Sequence, residues 1–376
     1  MNDLLEIVAR SSGSTTLPSV GNILYVTETG STTQSRLDGL GKINKPFELQ
    51  RAFDVATFKD IIIIYGANPF TTYSVNKNEL FIFIYTSLNI NFNNTFDHKI
   101  HLYKSDVNTN IQNLENSKLN VHSYCNIMLS NCNGLSLISE QNCQIIIDSS
   151  LSNCTFKSNI KSYFHTNGGT LTNINIDNFE IYNYFQAIIF QYCIFNKCYF
   201  HYDFYDGNSI NHCFFYDSQI NFNNYDSPNY LSFLNNKFVR CLIKSTSSFS
   251  PPSFNGSYST NKFIDCILFN IQNYSLRINN STWILKNCII HNPNVLNTLP
   301  NLGFFNCTGT CNLYLIDCKY EVPASTPYAI SSNYTGELQL INCQLPTAIT
   351  GGKTPTVTSN VFIGTISNIN DVLDNI

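Results

Sequence analysis

Fourteen cysteines are the residues through which this chain could most readily do chemistry. A thiolate can bind zinc, attack a carbon or be oxidised to a disulfide, and each option demands its own setting. Zinc calls for pairs such as C-x2-4-C with partners at a second spacing. Only Cys307/Cys311 and Cys193/Cys198 approach that, and no compact histidine cluster joins them. A catalytic thiolate wants basic, polar neighbours, whereas these cysteines stand among Phe, Ile and Leu. No metal and no cofactor is expected. The second chemical group is carboxylate. Asp203, Asp206 and Asp217 lie in "YFHYDFYDGNSINHCFFYD", and two carboxylates about 5 to 9.5 Å apart suffice for glycoside hydrolysis. Tyr199, Tyr202 and Tyr205 share that stretch, and exposed rings beside acids suit a sugar platform. The plainer reading puts half the rings in the core and the acids in turns. It is preferred, so no catalytic residue is assigned and the three tyrosines stand as glycan-contact candidates.

The cysteines obey a local rule that says what must position them. An apolar residue stands three places before most of them, as at Leu129/Cys132, Phe195/Cys198, Phe263/Cys266 and Leu340/Cys343; Cys125, Cys143 and Cys311 are the exceptions. Asn or Asp often fills the place just before, as in "LSNC", "FIDC" and "LINC". The phrase "NKFVRCLI" at 236–243 returns as "NKFIDCIL" at 261–268, 25 residues on. A fixed short phrase inside a loosely fixed period marks a solenoid. Apolar residues alternate within each unit, as in "TNINIDNFEIYNY", which is strand patterning. The expected fold is all-β, a right-handed parallel β-helix of short strands and Asn-rich turns. The cysteine is then a small inward filler repeated from rung to rung.

Composition narrows the partners. Charged residues are only 12% of the chain and the net charge is −4, so a basic nucleic-acid footprint is missing. No apolar run approaches the roughly 18 residues that span a membrane. The first residues, "MNDLLEIVARSSGS", carry acids where a secretory signal has its basic region. They read as a short amphipathic helix and linker, and the thiols are expected in a reducing compartment rather than in disulfides.

Residues 23 to 65 follow a different pattern: a strand "ILYVT", a turn-rich loop, a helix with Leu49, Ala52, Phe53 and Ala56 on one stripe, and a buried strand "DIIIIY". With Tyr25-Val26, Gly30-Ser31, Asp38-Gly39, Pro46-Phe47 and Ala52 to Ala56, this opening resembles the entry to a pectate-lyase-like parallel β-helix. That family is widespread among phage tailspikes and carbohydrate-active enzymes. The resemblance implies a short capping helix near 47–57 over the first coil. The family's enzymes are not matched in their sites. A polygalacturonase-like site has a Gly-flanked His and an Arg-Ile-Lys, but none of the seven histidines here is flanked by Gly and Arg277-Ile278 is followed by Asn279.

The expected organisation is an anchor helix and linker at 1–20, the β-helix at 21–345 and a small C-terminal cap at 346–376. The expected function is a structural bacteriophage virion protein (fibre, spike or capsid decoration) that contacts host-surface glycans without cleaving them. It would join other virion proteins through residues 1–20 and form a homo-oligomer, with a trimer favoured. It would be assembled in the host cytoplasm, with no nucleic acid or membrane partner. The alternative is a polysaccharide-degrading tailspike, a glycosidase or lyase, using Asp203, Asp206 or Asp217.

Overall fold

The computed structural model describes residues 22–40, 42–93, 95–103, 107–183, 188–203, 209–223, 230–245, 253–270, 276–291, 305–321, 334–345 and 355–363. The proposed anchor at 1–20 and most of the proposed 346–376 cap lie outside them. The described chain is nearly all β, a parallel β-solenoid of about 10 turns with very few helices. It divides into two compact units, 1–165 and 166–376.

In the amino-terminal unit, one parallel stack runs through strands Ile23–Ser31, Ile61–Ile64, Phe81–Ile84, Lys99–Leu102, Lys118–Val121 and Ser136–Ser139. A second joins Thr72–Val75, Leu88–Phe92, Val107–Gln112, Cys125–Ser130 and Gln144–Ile147. Alternate residues such as Ile82, Ile100 and Leu119 are buried in register, so each coil packs the same side-chain position onto the last. The run Ile61–Ile64 is buried on both faces, as its uninterrupted apolar pattern implies.

The carboxy-terminal unit repeats the scheme with three stacks. One of them places Lys237 on Lys262, Phe238 on Phe263 and Val239 on Ile264, so the repeated phrase is one coil laid on the next. Its leading asparagines are buried and bonded rung to rung. The Asn236 backbone N–H donates to Asn261 Oδ1 at 3.0 Å, and Asn261 Nδ2 donates to the Phe233 carbonyl at 3.0 Å. Phe215, Phe238 and Phe263 stack with ring centroids 4.5 and 4.8 Å apart. Strands Val357–Ser359 and Phe362–Ile363 pair parallel with Leu338–Ile341 and Gln344–Leu345, which carries the solenoid past residue 345.

The three-residue spacing before cysteine has a backbone cause. Strict alternation would point residues i and i+2 inward. The residue just before each of these cysteines adopts positive φ instead, at Asn131, Asn153, Asp265, Asn287, Asp317 and Asn342. That left-handed residue turns the chain and shifts the alternation by one, so i and i+3 both face the core. Asn and Asp tolerate this conformation best. Tyr192, Lys197, His212 and Arg240 occupy it too, which the sequence rule did not foresee.

The first coil is closed as the family-like opening suggested. Helix α1 (Arg36–Gly39) and helix α2 (Leu49–Val55) follow the first strand. The stripe Leu49, Ala52, Phe53 and Ala56 is buried, with α2 packed on strands Ile23–Ser31 and Thr72–Val75. Phe47 is fully buried between the motif glycines: a Cβ on Gly30 would strike its backbone and one on Gly39 its ring. Beneath them the buried Asp60 carboxylate receives Arg36 Nη2 at 2.7 Å, the Thr57 N–H at 2.8 Å and the Asn22 N–H at 2.9 Å.

Candidate functional site

Every cysteine from Cys125 to Cys288, with Cys311, Cys318 and Cys343, is a buried, unbridged thiol. Those that follow a left-handed residue have a backbone partner for the thiol. Cys241 Sγ lies 3.3 Å from the Val239 carbonyl and 3.4 Å from that of Phe215 one coil earlier. Cys318 and Cys343 repeat both contacts. The thiol therefore donates to corner carbonyls, of which Val239, Ile316 and Ile341 also accept a backbone N–H from the adjacent coil. Burial pushes Cys125, Cys132 and Cys198 up to about 12, which keeps them protonated and poor nucleophiles. Cys125 and Cys143, outside the sequence rule, share a rung position of their own at the head of strands Cys125–Ser130 and Gln144–Ile147. Among the described residues no group of His, Cys, Asp and Glu could hold a metal ion.

The sequence candidates fare unequally. Tyr205 and Asp206 lie outside the described residues. Tyr202 and Asp203 belong to strand Tyr199–Asp203, where their backbones pair with Phe222 and Asn223. Asp217 takes the left-handed corner before Ser218, and its two oxygens receive Arg240 Nε at 2.6 Å and Nη2 at 2.9 Å. The guanidinium holds this carboxyl below the usual carboxylate range. A carboxylate so paired is a weak general acid.

Tyr199 is different, because the stacking brings it into a cluster. Strands Asn175–Asn183, Tyr199–Asp203 and Gln219–Asn223 lie side by side, with Glu180 opposite Tyr199 and Gln219, and Tyr182 opposite His201 and Asn221. Ile181, Phe200 and Ile220 between them face the core. The outward side chains meet. Tyr182 Oη donates to Glu180 Oε2 at 2.7 Å, and His201 Nε2 lies 3.4 Å from the same oxygen. The Tyr182 and His201 rings stack at 4.2 Å, and Tyr199 tilts against His201 at 4.3 Å. Asn221 Nδ2 donates to Tyr199 Oη. The arrangement gives a half-exposed patch of aromatic rings and hydrogen-bonding edges on a rigid sheet. Glu180, Tyr182, His201 and Asn221 were missed in the sequence because their partners stand 19 to 22 residues away. Knowing the coil length was the only signal that could have aligned them.

The amino-terminal unit carries a second polar chain. Glu140 Oε2 lies 2.9 Å from His122 Nδ1, and His122 Nε2 lies 3.0 Å from His101 Nδ1. The carboxylate can only accept, so His122 donates to it from Nδ1, and a neutral His122 then accepts at Nε2 from His101. His101 stacks on Phe83 at 4.9 Å, His122 on Tyr103 at 4.4 Å. Burial, then His122 and Lys99, push His101 down to about 4. The ring faces are taken by one another, so this column is better suited to stiffening the sheet than to binding a sugar.

With the geometry in hand, comparison with known proteins adds little. No family model and no curated protein matches the chain, so the pectate-lyase-like resemblance stays confined to the opening. Among solved structures, the siphovirus 9NA tailspike receptor binding domain is similar at 10% sequence identity and a TM-score of 0.31, over 87% of this chain and 77% of that one.

Proposed function

We propose that this chain is a structural component of a bacteriophage particle, a fibre, spike or capsid decoration, that holds a host-surface glycan on the outer face of its solenoid without cleaving it. The observation that carries the reading is the Glu180–Tyr182–Tyr199–His201–Asn221 patch, a set of rings and polar edges held by consecutive rungs. Such groups suit sugars, which present apolar ring faces edged with hydroxyls. The rungs restrict each side chain before a ligand arrives, which lowers the ordering cost of binding. The pairing of Asp217 with Arg240 supports binding rather than hydrolysis at that carboxylate.

The particle context rests on the family-like opening and its capped first coil. In this reading residues 1–20 dock onto other virion proteins, assembly takes place in the host cytoplasm, and several copies, a trimer by preference, convert weak contacts into avidity. The test is glycan binding by the full-length chain to host surface polysaccharide. Tyr199→Ala and His201→Ala should each weaken it about tenfold or more. Release of shortened glycan, abolished by Asp203→Ala or Asp206→Ala, would replace this reading with the depolymerase. Normal incorporation of a chain lacking residues 1–20 into particles would refute the anchor.

A further inference from the structure

In the second strand stack of the amino-terminal unit, two adjacent strands present a neutral amide at each outward position, and the next presents Asn126 followed by Met128 and Ser130. Asn89 and Asn91 stand on strand Leu88–Phe92, Asn108, Asn110 and Gln112 on Val107–Gln112, and Asn126 on Cys125–Ser130. Register places Asn89 on Asn110, Asn91 on Gln112 and Asn108 on Asn126. No outward position of these three strands carries a charge. The amides are locked rung to rung: Asn110 Nδ2 donates to Asn89 Oδ1 at 2.6 Å, Asn126 Nδ2 to Asn108 Oδ1 at 2.9 Å, and Asn113 Nδ2 to Asn91 Oδ1 at 2.7 Å.

We infer that this lattice is a second glycan-contact surface, selective for a neutral, hydroxyl-rich polysaccharide. The inference rests on the glycan-binding reading above and names where and what kind. A primary amide has two N–H donors and two acceptor lone pairs. A ladder bond uses one donor on one partner and one acceptor on the other. Asn89 also donates to the Pro69 carbonyl and Asn126 Oδ1 is buried, so the remaining groups are concentrated on Asn91, Asn108, Asn110 and Gln112. They recur at about 4.8 Å across strands and about 6.7 Å along them, fixed in orientation by the ladder. Hydroxyls, which both donate and accept, match that alternation. An acidic polymer gains nothing here, because no cation is present to balance it. A protein partner would find here no aromatic or arginine anchor of the kind that concentrates binding energy in protein interfaces.

The test uses the full-length chain on an array of purified bacterial polysaccharides, neutral and acidic, with Asn91→Asp, Asn108→Asp and Gln112→Glu. The first two keep the oxygen that accepts from Asn113 and Asn126, and Gln112 is exposed, so all three should melt like the parent. Binding is expected on neutral members, with each substitution lowering affinity about tenfold or more. Unchanged affinity in the three variants, or equal binding to acidic members, overturns the inference. Loss in Tyr199→Ala without loss in these variants removes the lattice and leaves the proposed function standing. Failure to bind any polysaccharide sinks both.

Discussion

Each unit turns at left-handed residues, and the two fill the position that follows with different side chains. In the amino-terminal unit the position after the left-handed residue holds Asp60, Leu80, His98, Ser117, Leu135 and Cys154, almost a new residue at every coil. In the carboxy-terminal unit one corner begins with Phe179 and then holds Cys198, Ser218, Cys241, Cys266, Cys288, Cys318 and Cys343, while a second holds Ile174, Cys193, Cys213 and Asn236. Serine and cysteine answer the same need. Ser117 Oγ donates to the Glu115 carbonyl and Ser218 Oγ to that of Tyr216, two residues back, as the cysteines do. From Cys198 onward the corner is thus filled by a small side chain with a donor. Residues that depart from this need another partner. The His98 Nδ1 accepts from the Leu80 N–H, the His98 N–H donates to Ser117 Oγ, and Asp60 is held by Arg36. Uniform filling gives interchangeable rungs, and varied filling gives rungs that depend on single contacts.

That contrast orders the expected effects. Asp60→Ala should cost the amino-terminal unit about 3 to 5 kcal/mol, because Arg36 and the Asn22 and Thr57 amides lose a buried partner. Hydrogen exchange should show the loss in the first coils, with the carboxy-terminal unit unchanged. Equal loosening of both units would break the contrast. Acid comes next. Burial holds His98 and His101 near 4, against an ordinary 6.5, so the unfolded chain binds more protons between those values. Stability is then complete above about pH 6.5 and falls as pH drops toward 4, by on the order of 3 kcal/mol for each ring. His98→Gln should flatten part of that fall in denaturation midpoints measured across this window. A pH response centred on the carboxy-terminal unit would contradict it.

Smaller effects sharpen the same comparison. Cys266→Leu should cost about 1 to 3 kcal/mol by overfilling the column. Cys266→Ser should cost about 1 kcal/mol, since Ser218 already fills this slot. Chemical denaturation of the two variants would refute the small-donor rule if serine proved the worse. The smallest change is expected at Asp217→Asn. Its ion pair with Arg240 is exposed and screened, so the midpoint should not move.

Much of this was legible before any coordinates. The Leu/Phe-x-Asn/Asp-Cys phrase and its period implied stacked coils, and the stripe Leu49, Ala52, Phe53 and Ala56 implied the helix that covers the first one. These signals are local, carried by residues within one turn of chain. The site was less legible. Tyr199 was a candidate for its ring alone, while Glu180, Tyr182, His201 and Asn221 carry no motif. Lys197, Tyr192 and Arg240 in left-handed corners also escaped, because neighbouring rungs compensate a conformation that their own types disfavour.

The order of side chains along the chain thus determined the solenoid and the inward place of the cysteines, since alternation and turn preference act between residues close in sequence. Which outward residues become neighbours was decided only by the stacking. Coil lengths vary, so register across rungs depends on where each strand's buried side chains find their match, and that is settled in three dimensions.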